Sequence, residues 1–283
     1  MEDPSYEQMV ADARGEDRAL VEVERDPGRA CAIVRLDDAE RLNPLSAALT
    51  VQLLDRLAEL ASDPHVRTIV LTGRDPAFCA GGDLRAMTGT VHGLVDRGEA
   101  GATAMWRWIR YQFGGVVRLI SRTDKVFVAA LNGAAAGVGL AFALACDLIV
   151  ASERARLVLA FGPIGLLPEV GTSWLLTRRL GVHKTFELFL SGQVLSAADA
   201  HRLGLANEVV PHQELLQRAG EWAERVLRFP AHGVAMTKPL LRAAADATWD
   251  QSLAMEEFAE PMCFTTRAHR DGVRAMLDKR SRR

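Results

Sequence analysis

Between Lys125 and Asp147 the chain reads VFVAALNGAAAGVGLAFALAC, 21 residues without a charged side chain. So long an apolar run has two physical outlets: a bilayer crossing, for which about 20 residues suffice, or burial inside a water-soluble fold. A membrane helix should favour the helix throughout, and this run does not. Val126 to Leu131 is β-branched and aromatic-rich, as a buried strand would be. Asn132-Gly133 is a turn signal, and Gly137 and Gly139 follow closely. Only from Leu140 to Cys146 does the composition suit a helix. The flanks also lack an aromatic belt. The run therefore reads as a strand, a glycine-rich turn and the start of a helix, with no membrane span.

With 49% apolar and 25% charged residues, a chain of 283 has the balance of an ordinary globular protein and enough material for a full core. A net charge of −2 and a pI near 6.4 exclude nucleic acid as the main partner, because phosphate binding needs a concentrated basic surface. The closing KRSRR reads as a solvated tail. Cys31, Cys79, Cys146 and Cys263 are scattered and form no CxxC pair, which points to reduced thiols in a cytoplasmic protein. The dispersed histidines offer no HExxH, so no metal is expected. The acidic N-terminus, MEDPSYEQMVADARGED, is the opposite of a secretory signal.

Residues 1–18 read as a loosely ordered leader. LVEVERDPGRACAIVRLD then offers two alternating strands around the turn Asp26-Pro27-Gly28-Arg29. A helix is predicted from Ala47 to Ala61, with Leu49, Leu53, Leu57 and Leu60 on one face and Ser46 as N-cap. VRTIVLTG, 66–73, is a short strand, which makes the start of a βαβ layout. Residues 88–115 admit two readings of equal weight: a surface loop leading into a helix, or a flap over a ligand site. From 183 onward the pattern is helical, with Ser196 opening one helix and Gly204 placed to close it.

A glycine-rich turn between strand and helix leaves unpaired N–H groups at the positive end of the helix. GAAAGVG matches neither GxxxxGK[ST] nor GxGxxG, so phosphate binding is not implied. A second such turn, DPAFCAGGDLRAM, follows the strand at 66–73, and Gly81 and Gly82 allow a sharp bend. One turn of this kind is a tight connection. Two, each following a strand, could aim one N–H apiece at a single oxygen, forming an oxyanion hole.

FCAGGDL, LNGAAAGVGLAFALACDLIVAS and IGLLPEVGTSWLLTRRLG resemble the three signature segments of the enoyl-CoA hydratase/isomerase (crotonase) superfamily. VLSAADAHRLGLANEVVP resembles its next segment and FTTRAHRDGVRAMLDKR its C-terminal helix, so the likeness runs in order over roughly residues 20 to 280. The resemblance implies an α/β fold: a spiral of ββα units with two crossing sheets over 19–205, and a C-terminal helical region over 206–283 that drives trimers or hexamers. It implies an acyl-CoA thioester substrate, coenzyme A entering only as part of that substrate, and no tightly bound cofactor. Carried over by position, the oxyanion donors are the backbone N–H groups of Gly82 and Val138, each worth roughly 3–4 kcal/mol by analogy with acyl-transfer enzymes. Ala80 and Leu84 flank the first donor, and Asp83 braces its turn. Arg41 and Leu42 fall where the family's first loop meets the CoA nucleotide. Phe264, Lys279 and Arg280 fall on the C-terminal helix that in relatives contacts CoA across a subunit boundary. As alternatives, Arg41 is solvated and Phe264 is core.

The chain also departs from the pattern. Hydratases of the family use two glutamates, and here Ala141 and Phe161 stand in their places; neither can move a proton. Glu169, in LLPEVGT, matches the acid of several isomerases of the family, and a single carboxylate suits a double-bond shift. Set among Leu166, Leu167, Val170 and Trp174, its pKa should rise; alternatively it caps the helix that follows. Three functions are compatible: an isomerase using Glu169, a hydratase using another acid such as Asp96 or Glu99, and a CoA-ester binder or interaction module without chemistry.

Overall fold

A computed structural model of the chain describes residues 5–281 apart from Arg97. The segment expected to be a loose leader instead contains helix α1 (Tyr6–Arg14), capped where the Gln8 N–H donates to Ser5 Oγ at 3.2 Å. Ala13 is buried, Tyr6, Met9 and Val10 lie against the core, and Arg14 pairs with Asp55 at 2.9 Å. The element is docked, because its apolar residues recur at helical spacing and find a partner surface. Residues 1–4 and the last two residues of the basic tail lie outside the described residues.

Alternation makes the next segment a hairpin: β1 (Val21–Asp26) and β2 (Cys31–Leu36) pair antiparallel around a turn at Pro27–Arg29. Helix α2 (Ala47–Ser62) buries Leu49, Leu53, Leu57 and Leu60 and starts where Ser46 Oγ accepts the Leu49 N–H at 3.2 Å. The chain then runs strand, tight turn, strand three times: β3 (Thr68–Gly73) into β4 (Ala77–Cys79), β5 (Val126–Leu131) into β6 (Ala134–Ala136), and β7 (Leu148–Ser152) into β8 (Arg156–Val158). With β9 (Leu195–Ser196) and β10 (Glu208–Val210), the strands among the described residues build two sheets, ordered β1-β2-β3-β5-β7-β10 and β4-β6-β8-β9. The first strand of each pair joins the large sheet and the second the small one, so the chain spirals forward one ββα unit at a time.

Helices fill the returns. Between β4 and β5 run α3 (Leu84–Ala86), a wide turn at Met87–Val91, α4 (His92–Val95), α5 (Glu99–Trp108), a second wide turn at Ile109–Phe113, and α6 (Gly114–Arg122). The 88–115 segment is thus largely helical, and it sinks Trp108 and Phe113 into the core as an edge-to-face pair 6.4 Å apart. Helix α7 (Val138–Ala145) links β6 to β7, and α8 (Thr172–Leu180), α9 (Val182–Ser191) and α10 (Ala197–Arg202) follow β8. The C-terminal region is α11 (Leu215–Leu227), α12 (Ala231–Ala244), α13 (Trp249–Phe264) and α14 (Arg267–Ser281).

The uncharged run now has its explanation. On β5, Phe127, Ala129 and Leu131 enter the main core while Val126, Val128 and Ala130 face a second core made with α11. Both faces of the strand are covered, so no position tolerates a charge. Every residue of α7 is buried as well. No helix among the described residues is long and apolar enough to cross a membrane.

Three turns between the sheets are stitched to one another. Asn132 Nδ2 donates to Asp75 Oδ1 at 2.8 Å and to the Ala77 carbonyl at 3.1 Å, while its Oδ1 accepts the Gly73 N–H at 3.3 Å. His212 bridges Asp75 Oδ2 at 3.0 Å and Ser152 Oγ at 3.1 Å. A Cβ on Gly133 would lie 2.0 Å from the Pro76 carbonyl oxygen, so the first two turns touch. Asn132→Ala takes the side-chain acceptor from the buried Gly73 N–H, while the Ala77 carbonyl keeps its bond from Asn43, and is expected to cost roughly 2 kcal/mol. His212→Ala, nearer the rim, should cost about 1 kcal/mol. Denaturant unfolding followed by circular dichroism compares the two.

Candidate active site

Strands β4 and β6 lie side by side in the small sheet, so the bends that leave them meet. Gly81 has φ +90° and Gly137 φ +52°, backbone that L side chains rarely adopt. A Cβ on Gly81 would come 2.7 Å from the Ala136 carbonyl oxygen, and one on Gly137 would stand 4.0 Å from Gly81 Cα. Neighbouring amides around the bends are taken: Ala80 N–H donates to the Leu42 carbonyl at 3.0 Å and Gly137 N–H to that of Val158 at 3.1 Å. The amides of Gly82 and Val138 have no acceptor among the described residues. Val138 opens α7, where the first N–H groups of a helix point outward unpaired.

The first bend is braced from behind. Arg41 pairs with Asp83 at 2.5 Å, and Asp83 also caps α3 by accepting the Arg85 N–H at 3.0 Å. Burial opposes ionisation of the Asp83 carboxyl, yet the Arg41 guanidinium and the Arg85 amide hold it below the usual carboxylate range. Arg41 is therefore held in an ion pair, not freely solvated. The Leu45 N–H donates to the Gly81 carbonyl at 2.7 Å. Arg41, Leu42, Ala80, Gly82 and Asp83 thus form one cluster with Val138 across the bends, and Leu84 stands exposed at its edge.

Sequence reasoning missed Asn43, which is fully buried behind this cluster. Its Nδ2 donates to the carbonyls of Arg74 at 2.8 Å and Ala77 at 2.7 Å, and its Oδ1 accepts the Asp38 N–H at 2.8 Å. Leu42 and Asn43 both have positive φ. The signal available was Asn itself, one of the few residues that tolerate such backbone.

Helix α7 is held at its other pole. The Leu144 carbonyl accepts from Arg179 at 3.0 Å and the Ala145 carbonyl from Arg242 at 2.8 Å. Arg242 and Lys238 share Asp147, at 2.7 and 2.8 Å, and Lys238 also donates to the carbonyls of Ile120 and Lys125, both at 2.7 Å. These groups line a cavity of about 940 Å³ between α8 and α12. That cavity lies at the far end of α7 from the bends, and its charged walls are engaged in capping.

Glu169 does not cap α8. Gly171 holds the N-cap position, and no side chain completes it. The Glu169 carboxyl is half-buried, and no hydrogen bond or ion pair reaches it among the described residues. Burial, unopposed, pushes its pKa up. Beside the bends, Ala141 is fully buried in α7, and Phe161, 3% exposed, sets its ring edge 3.8 Å from where a Cβ on Gly137 would stand.

Other candidates lie elsewhere. Asp96 is exposed, and Glu99 opens on a cleft lined by Tyr6, Glu7, Leu94 and Arg107, away from the bends. Phe264, on α13, is exposed rather than core, 4.9 Å from the His269 ring, and Lys279 lies on a face of α14 with Met276 and Leu277. Within one chain neither joins the Gly82 and Val138 cluster.

Because the folded protein holds Glu169 more protonated than the unfolded chain does, stability is full below the ordinary carboxylate pKa. It is lost as pH rises through the raised value. Glu169→Gln, which cannot ionise, is expected to melt above the wild type at neutral pH, with the gap closing in acid. Thermal melts over about pH 4 to 8, spanning the carboxylate range, check both the sign and the closure.

A sequence model described as enoyl-CoA hydratase/isomerase matches residues 27–283. The chain is 32% identical over 246 residues to 1,2-epoxyphenylacetyl-CoA isomerase of Escherichia coli, covering 87% of this chain and 91% of that one. Among solved structures, an enoyl-CoA hydratase/isomerase from Cupriavidus metallidurans superposes with a TM-score of 0.83 at 29% identity, covering 93% of this chain and 95% of the other. An enoyl-CoA hydratase from Mycobacterium smegmatis does so at 0.83 and 27%, covering 93% and 97%.

Proposed function

This chain belongs to the enoyl-CoA hydratase/isomerase family, and we propose that within it the protein shifts a double bond in an enoyl-CoA thioester, with Glu169 as the one proton carrier. The observation that carries this reading is a half-buried carboxyl that no hydrogen bond or ion pair reaches among the described residues, together with two bends whose neighbouring positions, Ala141 and Phe161, hold no second acid. In the proposed mechanism the thioester oxygen accepts hydrogen bonds from the Gly82 and Val138 amides. As Glu169 removes a proton from C2 of a 3-enoyl chain, negative charge collects on that oxygen, and donors aligned to it lower the barrier. The resulting dienolate takes the same proton back at C4, leaving the 2-enoyl product and a regenerated carboxylate. Coenzyme A is the handle of the substrate, and Arg41 and Leu42 are proposed to meet it beside the first bend.

Burial supports the choice of base. A carboxylate with a raised pKa is a stronger base, suited to a carbon acid. Phe161 supports the choice of reaction, because an aromatic ring on the second bend takes room that an attacking water would need. The hydratase reading is favoured by the likeness to several relatives and solved structures that are described as hydratases. As to assembly, we propose a trimer: α13 and α14 leave Trp249, Phe258, Met276 and Leu277 in solvent, and a neighbouring copy would cover them. Phe264 and Lys279 would then serve a thioester bound to that neighbour.

Glu169→Gln is expected to lower turnover of a 3-enoyl-CoA by at least about a thousandfold, within the range for loss of a general base, while acyl-CoA affinity by calorimetry stays within about threefold. Unchanged turnover removes Glu169 from the mechanism. In the wild type kcat/KM should fall as pH drops through a value above the ordinary Glu pKa of about 4.3, since the base must be ionised. In heavy water a single shuttling acid puts less than one deuterium into each product molecule. Hydration of crotonyl-CoA at ordinary enzymatic rates would instead establish the hydratase.

A further inference from the structure

No hydrogen bond or ion pair holds the Glu169 carboxyl among the described residues, so its placement rests on packing and on its backbone, and that backbone is unusual. Val170 has φ +56° and Gly171 φ +85°, and the Thr172 N–H returns to the Glu169 carbonyl at 2.9 Å. The result is a two-residue turn with both central residues left-handed, a geometry normally given to Gly, Asn or Asp. Glycine at 171 is at ease. Valine at 170 is not, because a branched Cβ in this region crowds the following carbonyl. Among the described residues the other non-glycine positions with positive φ are Ala30, Leu42 and Asn43, none of them β-branched.

Such a conformation persists only where its surroundings over-determine it. Two anchors do so here. The Val170 side chain packs against the main hydrophobic core, and Thr172, next but one along the chain, is fully buried at the start of α8. Glycine would allow the same turn but would also leave it free to open. Valine trades ease for rigidity.

We infer that Val170 is a positioning residue for Glu169: clamped in a left-handed turn by its own packed side chain, it keeps the carboxyl in the apolar site and prevents it from swinging out to water. The inference rests on the reading of Glu169 as the proton carrier, yet it has a consequence visible without turnover. Once the clamp is gone, the carboxyl reaches solvent and the burial that raises its pKa is relieved.

Val170→Gly and Val170→Asn both accept the turn and should fold. Ligand-free protein labelled with carbon-13 at the glutamate carboxyl is titrated by NMR, and the Glu169 signal is identified by its loss in Glu169→Gln. In both variants the Glu169 titration is expected to move down toward the ordinary carboxylate range, and kcat on a 3-enoyl-CoA to fall tenfold or more with KM changed less than threefold. A Glu169 titration that stays where the wild type has it overturns the positioning role, whatever the turnover does. A wild type that titrates high but turns over no 3-enoyl-CoA sinks the proposed reaction instead, and the NMR comparison still decides the role of Val170.

Discussion

One methyl group on Gly81 would strike the Ala136 carbonyl oxygen, and the site depends on that closeness. The two bends can touch only because β4 and β6 are neighbours, and those three-residue strands are neighbours only because β3 and β5 pair in register beneath them. Asn132 and Asp75 then fix how each turn lies against the next. A spiral of ββα units is thus a device for bringing distant glycine bends to one point. The large sheet supplies the stability, and the small sheet transfers it to the amides of Gly82 and Val138.

How much of this was legible in the sequence depends on length and period. β5 and α2 announced themselves through a β-branched run and an i, i+4 leucine stripe. β4, β6 and β8 did not, because three residues are too few to display alternation. Helix α1 was misread from its acidity, although Tyr6, Met9, Val10 and Ala13 carry the helical spacing of a docked face. In the 88–115 segment glycines and threonines masked helices whose stability comes from tertiary burial of Trp108 and Phe113. The glycine bends were legible as turns, since few residues can replace Gly81 or Gly137. The contact of Phe161 with the second bend, the brace of Arg41 on Asp83 and the role of Asn43 arise from residues far apart in the chain, which no local pattern reports.

The site runs against the ordinary rules of a stable core. Among the described residues two amides have no acceptor, a half-buried carboxyl has no hydrogen-bond or ion-pair partner, and a valine is held where glycine would rest more easily. Each departure works against folding; the two amides belong to bends that touch, and the carboxyl and the valine belong to consecutive residues. Such clustering is what separates a reaction site from a packing defect.

Helix α7 has an all-apolar surface and no side chain able to exchange a hydrogen bond, so its poles are its only electrical connections to the rest of the molecule. The positive pole faces the bends. The negative pole is met by Arg179 from α8 and Arg242 from α12. The C-terminal region is therefore tied, through Arg242, to the helix that opens at the second bend. It acts as the counter-electrode of the site, and a rearrangement of α12 would be felt at the opposite end of α7, at the amide of Val138.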